Sequence, residues 1–189
     1  TIDNGTTALD VAASSVGGNL TLTSGNSITD SGTLTVGGNL AATTDANSGV
    51  INLGTLAVDG TVALTTNGTG DATVINDAGL NLAASTVGGN LAATVTTGNM
   101  TDSGTLTVGG NLAATTDANN GVINLGTLAV DGTVQLTTHG SGNATVVNDA
   151  GLTFAASTVG RNLVATATTG DIVDSGVLTI AGTSSFTTS

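Results

Sequence analysis

The sequence predicts an all-β protein, a parallel β-helix of about eight coils with 20 to 29 residues and three short strands in each coil. Three observations lead to this prediction. Thr, Val, Ile and Gly dominate the chain while Glu and Lys are missing, apolar residues alternate with polar ones, and a short phrase recurs at intervals of about one coil. Strands this short are stable only when the coils stack on one another.

The composition argues against several classes of function. Thirteen acidic residues, all Asp, accompany one basic residue, Arg161, so the net charge is −12. A nucleic-acid partner is not expected because such a surface repels phosphates. No apolar run approaches the roughly 18 residues of a membrane helix, so membrane insertion is not expected either. The chain has no Cys, which removes disulfides and thiolate metal sites, and its 39% hydrophobic content argues against disorder.

A long repeat organises the chain. The stretch TDSGTLTVGGNLAATTDAN occurs at 29–47 and again at 101–119, and the longer segments 29–91 and 101–163 differ at nine of 63 aligned positions. The 72-residue super-repeat therefore covers 29–100 and 101–172, with partial copies on both sides. We interpret 1–189 as a single solenoid segment of a longer repetitive chain.

A shorter unit lies inside this super-repeat. The phrase Val-Gly-Gly-Asn-Leu, or a variant, begins at eight positions with spacings of 20, 22, 29, 21, 22, 29 and 21 residues: Val16, Val36, Val58, Val87, Val108, Val130, Val159 and Ile180. We expect one coil per phrase, with its three strands contributing to three sheets. The 29-residue spacings then require expansions, which we interpret as surface loops at Thr66–Ala72 and Ala83–Thr86. The Gly-Gly pairs are expected to be turn residues with positive φ.

The alternation predicts which side chains form the core. In the first strand of each unit the inward pairs are Leu20/Leu22, Leu40/Ala42, Val62/Leu64, Leu91/Ala93, Leu112/Ala114, Val134/Leu136 and Leu163/Ala165. In the third strand they are Leu34/Val36, Leu56/Val58, Leu80/Leu82, Leu106/Val108, Leu128/Val130 and Leu152/Phe154. These mostly small aliphatic residues are suited to a narrow core.

One predicted column of Asp and Asn side chains could bind metal. It comprises Asp3, Asp30, Asn52, Asp77, Asp102, Asn124, Asp149 and Asp174. If these residues stack at outward turns, Asp30, Asp77, Asp102, Asp149 and Asp174 are candidate ligands for Ca²⁺, which prefers carboxylate and amide oxygens. The alternative is that they are solvated turn residues that cap backbone groups, and the absence of the GGxGxDxUx repeat favours that alternative. No other cofactor is predicted.

Two further columns are polar. One consists of Thr23, Thr43, Thr65, Thr94, Thr115, Thr137, Thr166 and Thr187, and the other of Asn19, Asn39, Thr61, Asn90, Asn111, Thr133, Asn162 and Thr183. A rank of Thr side chains raises the hypothesis of an ice-binding face. The position between the two columns varies, however, so β-propensity and stacking of Asn side chains explain the pattern equally well.

Catalysis is not expected. An enzyme that cleaves acidic polysaccharides needs clustered acid, base or cationic groups. The basic candidates are Arg161 and His139, which replace Gly89 and Asn67 of the preceding copy and are expected in different parts of a coil. We interpret both as surface variants and name no catalytic residue.

The units GTLTVGGNLAATT, GNLTLTSGNSITDSG and GVINLGTLAVDGTV resemble the repeat shafts of filamentous-haemagglutinin-like exoproteins. These bacterial surface adhesins are secreted by the two-partner route or as autotransporter passengers. The resemblance covers essentially the whole chain as a repeat pattern and includes no diagnostic motif. It implies a right-handed β-helix, an extracellular location at the bacterial cell surface, and a role in attachment, biofilm or cell contact.

We therefore expect a non-catalytic structural or adhesive shaft. Its expected partners are neighbouring repeats or further copies stacked end to end, because open coil ends are unpaired strand edges, together with a glycan or protein of a host or biofilm surface. Two alternatives stay open: a solenoid that binds Ca²⁺, ice or glycan through the Asp/Asn or Thr columns, and a polysaccharide-active β-helix enzyme. The composition favours the enzyme least.

Overall fold

The protein is a parallel β-solenoid. The computed structural model describes the backbone of residues 1–189 and every side chain except those of Asn47 and Ala118. Within this described chain the regular secondary structure consists of β-strands, with no helix, and each strand pairs in parallel with strands about 20 residues away along the chain. The predicted fold class is confirmed.

The strands are short, with between two and eight residues each. Over the described backbone they are, in chain order, β1 (Ile2–Asp3), β2 (Leu9–Val11), β3 (Ser14–Val16), β4 (Leu20–Ser24), β5 (Ile28–Asp30), β6 (Leu34–Val36), β7 (Leu40–Asn47), β8 (Ile51–Val58), β9 (Thr61–Asn67), β10 (Ala72–Asn76), β11 (Leu80–Leu82), β12 (Ser85–Val87), β13 (Leu91–Val95), β14 (Met100–Asp102), β15 (Leu106–Val108), β16 (Leu112–Asn119), β17 (Ile123–Val130), β18 (Thr133–His139), β19 (Ala144–Asn148), β20 (Leu152–Phe154), β21 (Ser157–Val159), β22 (Leu163–Ala167), β23 (Ile172–Asp174), β24 (Leu178–Ile180) and β25 (Ser184–Thr188).

The strands form two sheets rather than the three that we expected. Sheet A contains β1, β4, β7, β9, β11, β12, β14, β15, β17, β19, β22 and β25, and sheet B contains the other strands. The chain crosses from one sheet to the other every half-turn, and the path from β1 to β25 makes about nine turns, close to the eight predicted. Most turns contribute three strands because one of their two half-turns is bent.

The chain is built from two kinds of half-turn, which alternate except where two straight ones follow each other at β9 and β10 and at β18 and β19. A straight half-turn is one strand, such as β4 or β13. A split half-turn is a pair of short strands with a bend between them, such as β5 and β6. A long strand can take the place of such a pair, since β8 pairs with both β5 and β6, and β17 pairs with both β14 and β15.

The strand registers correct the expected coil boundaries. Paired residues of neighbouring turns are separated by 19 to 23 residues throughout, from Leu9↔Ile28 to Ile28↔Ile51. The 29-residue spacings are therefore about one and a half turns. The expected loop at Thr66–Ala72 is only a short turn at 68–71 between β9 and β10, with Thr66 and Ala72 buried. The expected loop at Ala83–Thr86 is wrong, because Ser85 and Thr86 lie in strand β12 and Ser85 is 4% exposed.

The super-repeat consequently changes sheet from one copy to the next. Seventy-two residues make seven half-turns, or three and a half turns. Leu40 begins β7 in sheet A, whereas the identical Leu112 begins β16 in sheet B. Likewise Leu34 lies in sheet B and Leu106 in sheet A. The same sequence is thus displayed on opposite sides of the solenoid.

The apolar core runs along the whole axis between the two sheets. Every residue of the predicted inward pairs is buried, including Phe154, which takes the place of Leu82. The core also contains buried residues that were not among the predicted inward pairs: Ile28, Ile51, Leu53, Val74, Met100, Ile123, Leu125 and Val146. Alternation thus predicts which side of each strand is buried, even where the coil to which the strand belongs was assigned wrongly.

Candidate functional site

The predicted column of Asp and Asn residues does not form. Asp30 lies in sheet B opposite Val11, Asp102 lies in sheet A opposite Leu82, and Asp174 pairs with Phe154. None of these three neighbours is acidic. The column was predicted on the assumption of one coil per phrase, and the strand registers do not follow that assumption. These three carboxylates therefore do not stack on one another.

Asp30 and Asp102 instead clamp one turn to the next. The Oδ1 atom of Asp30 accepts the N–H of Gly54 at 2.9 Å, and Oδ2 accepts the N–H and hydroxyl of Thr55 at 2.8 and 2.9 Å. Asp102 repeats the arrangement with the N–H groups of Gly126 and Thr127 at 2.9 and 2.7 Å. Bonds to an ionised acceptor are stronger than neutral ones. Both carboxylates therefore act as backbone caps between turns.

The other calcium candidates are arranged differently. Asp77 and Asp149 use their backbone carbonyls to accept hydroxyls from two Thr residues of the following turn, at 2.6 to 3.1 Å. Among the residues whose side chains are described, no group of three or more His, Asp, Glu or Cys side chains lies close enough together to hold a metal ion. Asp30, Asp77, Asp102, Asp149 and Asp174 are thus separate positions along the solenoid.

The Asn column forms, but in separate runs on alternating sheets. In the first run Asn19 Oδ1 accepts the N–H of Asn39, and Asn39 Oδ1 accepts the N–H of Thr61, both at 2.9 Å. A second run joins Asn90, Asn111 and Thr133 at 2.9 and 2.8 Å on the opposite side. These side-chain oxygens supply acceptors for backbone N–H groups at the corners, where strand pairing stops.

The Asn runs explain the Gly-Gly pairs. The backbone of Gly37, Gly38, Gly109 and Gly110 does not have positive φ, so the expected reason for these glycines is wrong. A Cβ at Gly38 would collide with Asn19 Oδ1 of the turn beneath and lie 2.8 Å from the Gly18 carbonyl carbon. A Cβ at Gly110 would lie 2.6 Å from Asn90 Oδ1. Glycine is needed here because two backbones and an Asn side chain meet at the corner.

Buried Asn76 and Asn148 are structural residues that the sequence analysis missed. The Val58 N–H donates to Asn76 Oδ1 at 2.9 Å, while Asn76 Nδ2 donates to the carbonyls of Val58 at 3.1 Å and Gly79 at 2.9 Å. Asn148 makes the same three bonds in sheet A. The side-chain amide thus replaces a missing strand where straight β10 ends on the longer β8. The alternation of Ala72, Val74 and Asn76 is the signal that marks a strand here.

The Thr column is broken and then extended by residues that were not expected. In sheet A, one file joins Thr23, Thr43, Thr65, Thr86 and Thr107. In sheet B, an equivalent file joins Thr94, Thr115, Thr137, Thr158 and Thr179. Each file presents five partly or fully exposed Thr residues in register. The remaining predicted members, Thr166 and Thr187, pair with each other in sheet A.

Arg161 and His139 lie at the same corner of successive turns, contrary to expectation. Gly160, which precedes Arg161, donates its N–H to Thr138 Oγ1 at 2.8 Å, and His139 Nδ1 donates to the Thr116 carbonyl at 2.8 Å. Both side chains are exposed. The His139 ring is thus held against the turn beneath it by its own hydrogen bond.

The described surface has open depressions, among them two grooves and one end cavity. Two are equivalent grooves of about 290 Å³ on opposite sheets, lined around Leu56 and Asp77 in one copy and around Leu128 and Asp149 in the other. The third, of about 520 Å³, lies at the C-terminal end of the solenoid between Phe154 and Phe186, whose rings meet edge to face with centroids 6.3 Å apart. The grooves are duplicated with the super-repeat, whereas the end cavity is not.

Parallel turns, a continuous core and bonds repeated between turns define this molecule as a β-solenoid repeat protein. The chain belongs to the family described as repeats of unknown function (DUF5649), which it matches over 1–49, 69–125 and 141–189. Comparison with curated proteins and with solved structures gave no match. No helix in the described residues is long and apolar enough to cross a membrane.

Proposed function

We propose that this chain is a non-catalytic structural or adhesive shaft of a bacterial surface adhesin or fibre. The observation that carries the proposal is the use of recurring polar side chains for bonds between turns. Asp30, Asn39 and Asn76 each bind backbone groups of an adjoining turn. A solenoid built this way grows by adding turns, each of which contacts only its neighbours.

The proposed role is mechanical. Adjacent turns are about 4.8 Å apart, so nine turns give a rod of about 43 Å and each super-repeat adds about 17 Å. Pulling along the axis loads many parallel hydrogen bonds together with the buried side chains between them. Such a rod holds a binding region at a distance from its anchor.

The extracellular and adhesive parts of the proposal rest on the resemblance of the repeat units to filamentous-haemagglutinin-like shafts. The charge is consistent with them, since a net charge of −12 opposes side-by-side aggregation of crowded rods. The partner in attachment would be a glycan or protein of a host or biofilm surface. Attachment, biofilm and cell contact are the activities to be measured.

The experiment uses the bacterium that encodes the chain. An antibody raised against 1–189 should label intact cells, and removal of the encoding segment should lower attachment or biofilm mass. The matched control deletes 101–172 alone, which keeps the repeat phrase continuous and should shorten the shaft while labelling persists. Labelling confined to permeabilised cells would contradict the location, and unchanged attachment, biofilm and cell contact after full deletion would contradict the function.

The two Thr files favour one second candidate, a solenoid that orders water or binds ice. Each sheet carries five Thr residues in register, so the predicted column of eight is replaced by two shorter arrays that include Thr residues the sequence analysis did not assign to it. The test is thermal hysteresis and ice-crystal shape in the presence of the protein, compared with the variant Thr65→Val/Thr86→Val. Hexagonal growth identical to that of buffer would reject this candidate.

A further inference from the structure

Two equivalent grooves lie on interior turns of the solenoid, one on each sheet, and each crosses four successive turns. The groove on sheet B, which we call groove B, is lined by Thr33, Gly54, Thr55, Leu56, Ile75, Asp77 and Thr96. The groove on sheet A, groove A, is lined by Thr105, Gly126, Thr127, Leu128, Val147, Asp149 and Thr168. The two sets are equivalent positions of the super-repeat and differ only where Val147 replaces Ile75. A ligand of one groove should therefore fit the other.

A β-bulge shapes the floor of each groove. In groove B the two residues Gly54 and Thr55 of β8 face the single residue Ile75 of β10, and the same register shift occurs between β17 and β19 in groove A. Ile75 lies between two buried residues of its strand and is itself half-buried, so its side chain points outward. Bulges interrupt strand pairing and re-aim side chains, and they are frequent beside functional sites. The bulge thus places an aliphatic side chain on the outer surface of the groove.

A glycine without a structural cause keeps each groove open. Gly54 and Gly126 do not have positive φ. Among the described atoms, a Cβ at Gly54 would meet none within 4 Å, and one at Gly126 would meet only Asp102 Oδ1, at 4.0 Å. Glycine weakens the interior of a strand, and it is found where a ligand or another backbone approaches closely. Neither packing nor backbone conformation requires it here, so the missing side chain leaves space for a molecule outside the chain.

One carboxylate lines each groove and is held in place through its backbone. The hydroxyls of Thr96 and Thr97 donate to the Asp77 carbonyl at 2.7 and 2.8 Å, which fixes the turn that carries the side chain. Asp149 is held in the same way in groove A. Within the part of the chain whose side chains are described, no donor reaches the carboxylate of Asp77 or of Asp149, and no basic residue lines either groove. Each groove therefore offers a negative charge beside an aliphatic floor.

We propose that each groove binds the side chain of a Lys or Arg residue of a protein partner. The ammonium or guanidinium group donates to the carboxylate of Asp77 or Asp149, and the methylene stem lies on Ile75 or Val147. A volume of about 290 Å³ is at the lower limit of ligand pockets, so it suits one long side chain better than an extended ligand. The net charge of −12 also attracts a basic partner.

The lining residues argue against two other ligands. A divalent metal ion needs several oxygen ligands, and no group of three or more metal-binding side chains lies together among the side chains described. An acidic glycan would be repelled by the carboxylate, and a neutral sugar would find no aromatic side chain in the described lining on which to stack. A cation on an aliphatic stem matches both the charge and the floor.

The spacing of the grooves follows from the super-repeat. Successive grooves lie three and a half turns apart on opposite sheets, which is about 17 Å along the axis, and grooves on one sheet would recur every seven turns, about 34 Å. Weak single contacts repeated along a rod add up to a stronger attachment to a surface that displays many basic side chains. The inference goes beyond the proposed function, since a shaft can bear load without any site on its side.

The experiment is a methyl NMR titration of the 189-residue chain. The probe is Nα-acetyl-lysine N-methylamide, compared with Nα-acetyl-norleucine N-methylamide, which lacks the ammonium group, and with ammonium chloride, which lacks the stem. The lysine probe should shift the methyl signals of Ile75 and Val147 and saturate at about millimolar concentration, because one exposed ion pair and one aliphatic contact contribute little free energy. The other two compounds should give small shifts that do not saturate.

Paired variants separate the groove from the general charge of the rod. Asp77→Asn/Asp149→Asn should weaken binding of the lysine probe about tenfold, the loss of one charge-assisted bond. The matched control Asp59→Asn/Asp131→Asn removes the same two charges at exposed positions outside the grooves and should leave the affinity nearly unchanged. Gly54→Val/Gly126→Val keeps every charge, fills both grooves and should abolish saturable binding. Valine suits a strand, and the remaining methyl signals report that the variant is folded.

Four outcomes would overturn the proposal. They are shifts with the lysine probe that equal those with norleucine or ammonium chloride, equal weakening by the two pairs of Asp variants, and undiminished binding by the folded Gly54→Val/Gly126→Val variant. The fourth is a set of groove shifts that depends on protein concentration alone and disappears in Arg161→Gln, which would assign the grooves to a second copy of this chain. None of these results bears on cell-surface labelling or attachment, so failure of the grooves and failure of the proposed function are distinguishable.

Discussion

Residues 29–91 and 101–163 are nearly identical in sequence, but equivalent residues of the two copies lie on opposite sheets. Both copies bury the same positions, and they make the same bonds at Asp30 and Asp102 and at Asn76 and Asn148. The sheet on which a residue lies is thus decided by the number of half-turns that precede it. The contacts of a residue are decided by the residues of the neighbouring turns, and at these positions the neighbours are the same in both copies.

The split half-turns move from one sheet to the other without an inserted loop. Two straight half-turns, β9 and β10, follow each other, and this shifts the bent half-turns from sheet B to sheet A. At this junction the strands above and below have different shapes, so some backbone groups lose strand partners. Buried Asn76 and Ser85 supply those partners from their side chains.

The largest expected effect comes from the junction. Asn76→Ala and Asn148→Ala should each lower the free energy of unfolding by about 3 kcal/mol, because each leaves a buried N–H and carbonyl groups unpaired. The two costs should agree within about 0.5 kcal/mol despite the opposite sheets. Urea unfolding measures both, with outward Thr73→Ala as the control. A cost in one copy alone would break the equivalence of the copies.

A smaller effect is expected at the corners. Gly38→Ala and Gly110→Ala should each cost about 2 kcal/mol, because the added methyl overpacks a site occupied by an Asn side chain and backbone. The control is Gly54→Ala, where a Cβ meets no atom within 4 Å and the change should stay within about 0.5 kcal/mol. Thermal unfolding of the three variants distinguishes close packing from a conformational need for glycine. Equal costs at Gly38 and Gly54 would contradict the packing explanation.

The carboxylate clamps should matter less. Asp30→Ala and Asp102→Ala should each cost about 1.5 kcal/mol, since the clamps are half-buried and water can replace part of the lost bonding. Asp30→Asn, which keeps one carbonyl oxygen as an acceptor, should lose less than Asp30→Ala. Denaturation midpoints of the three variants provide the measurement. A stability gain in Asp30→Ala would show that the clamp does not hold the turns together.

The smallest expected effect is that of calcium. Both oxygens of Asp30 and of Asp102 already accept hydrogen bonds from the next turn, so Ca²⁺ would have to displace those donors. Melting in millimolar Ca²⁺ and in chelator should give the same midpoint within about 1 °C. A rise that disappears in Asp30→Ala/Asp102→Ala would establish a metal site that uses the clamps.

The sequence predicted the fold class and every inward pair that it assigned, because two-residue alternation determines which face of a strand is buried. It failed on coil boundaries for a physical reason. The phrase beginning at Val87 has the same local sequence as the one beginning at Val36, although Val87 lies in sheet A and Val36 in sheet B. Local sequence specifies a corner but carries no information about how many half-turns precede it.

The candidate site was less predictable for the same reason. The predicted column grouped equivalent positions of the repeat, such as Asp30 and Asp102, and these equivalent positions lie on opposite sheets. The Asn runs were predicted correctly within each run and fail only where the chain changes sides, as between Thr61 and Asn90. Asn76 was missed because a buried amide beside Asp77 resembles an ordinary turn sequence.

The strand that lies beside β13 distinguishes a super-repeat of three and a half turns from one coil per phrase most directly. The chain has no Cys, so paired substitutions give a clean signal. The structure pairs Ile75 with Thr94, whereas one coil per phrase would place Thr65 beside Thr94. With a short bis-thiol reagent, Ile75→Cys/Thr94→Cys should cross-link rapidly within the monomer, and Thr65→Cys/Thr94→Cys, on opposite sheets, should not. Rapid cross-linking of the second pair and not of the first would contradict a super-repeat of three and a half turns.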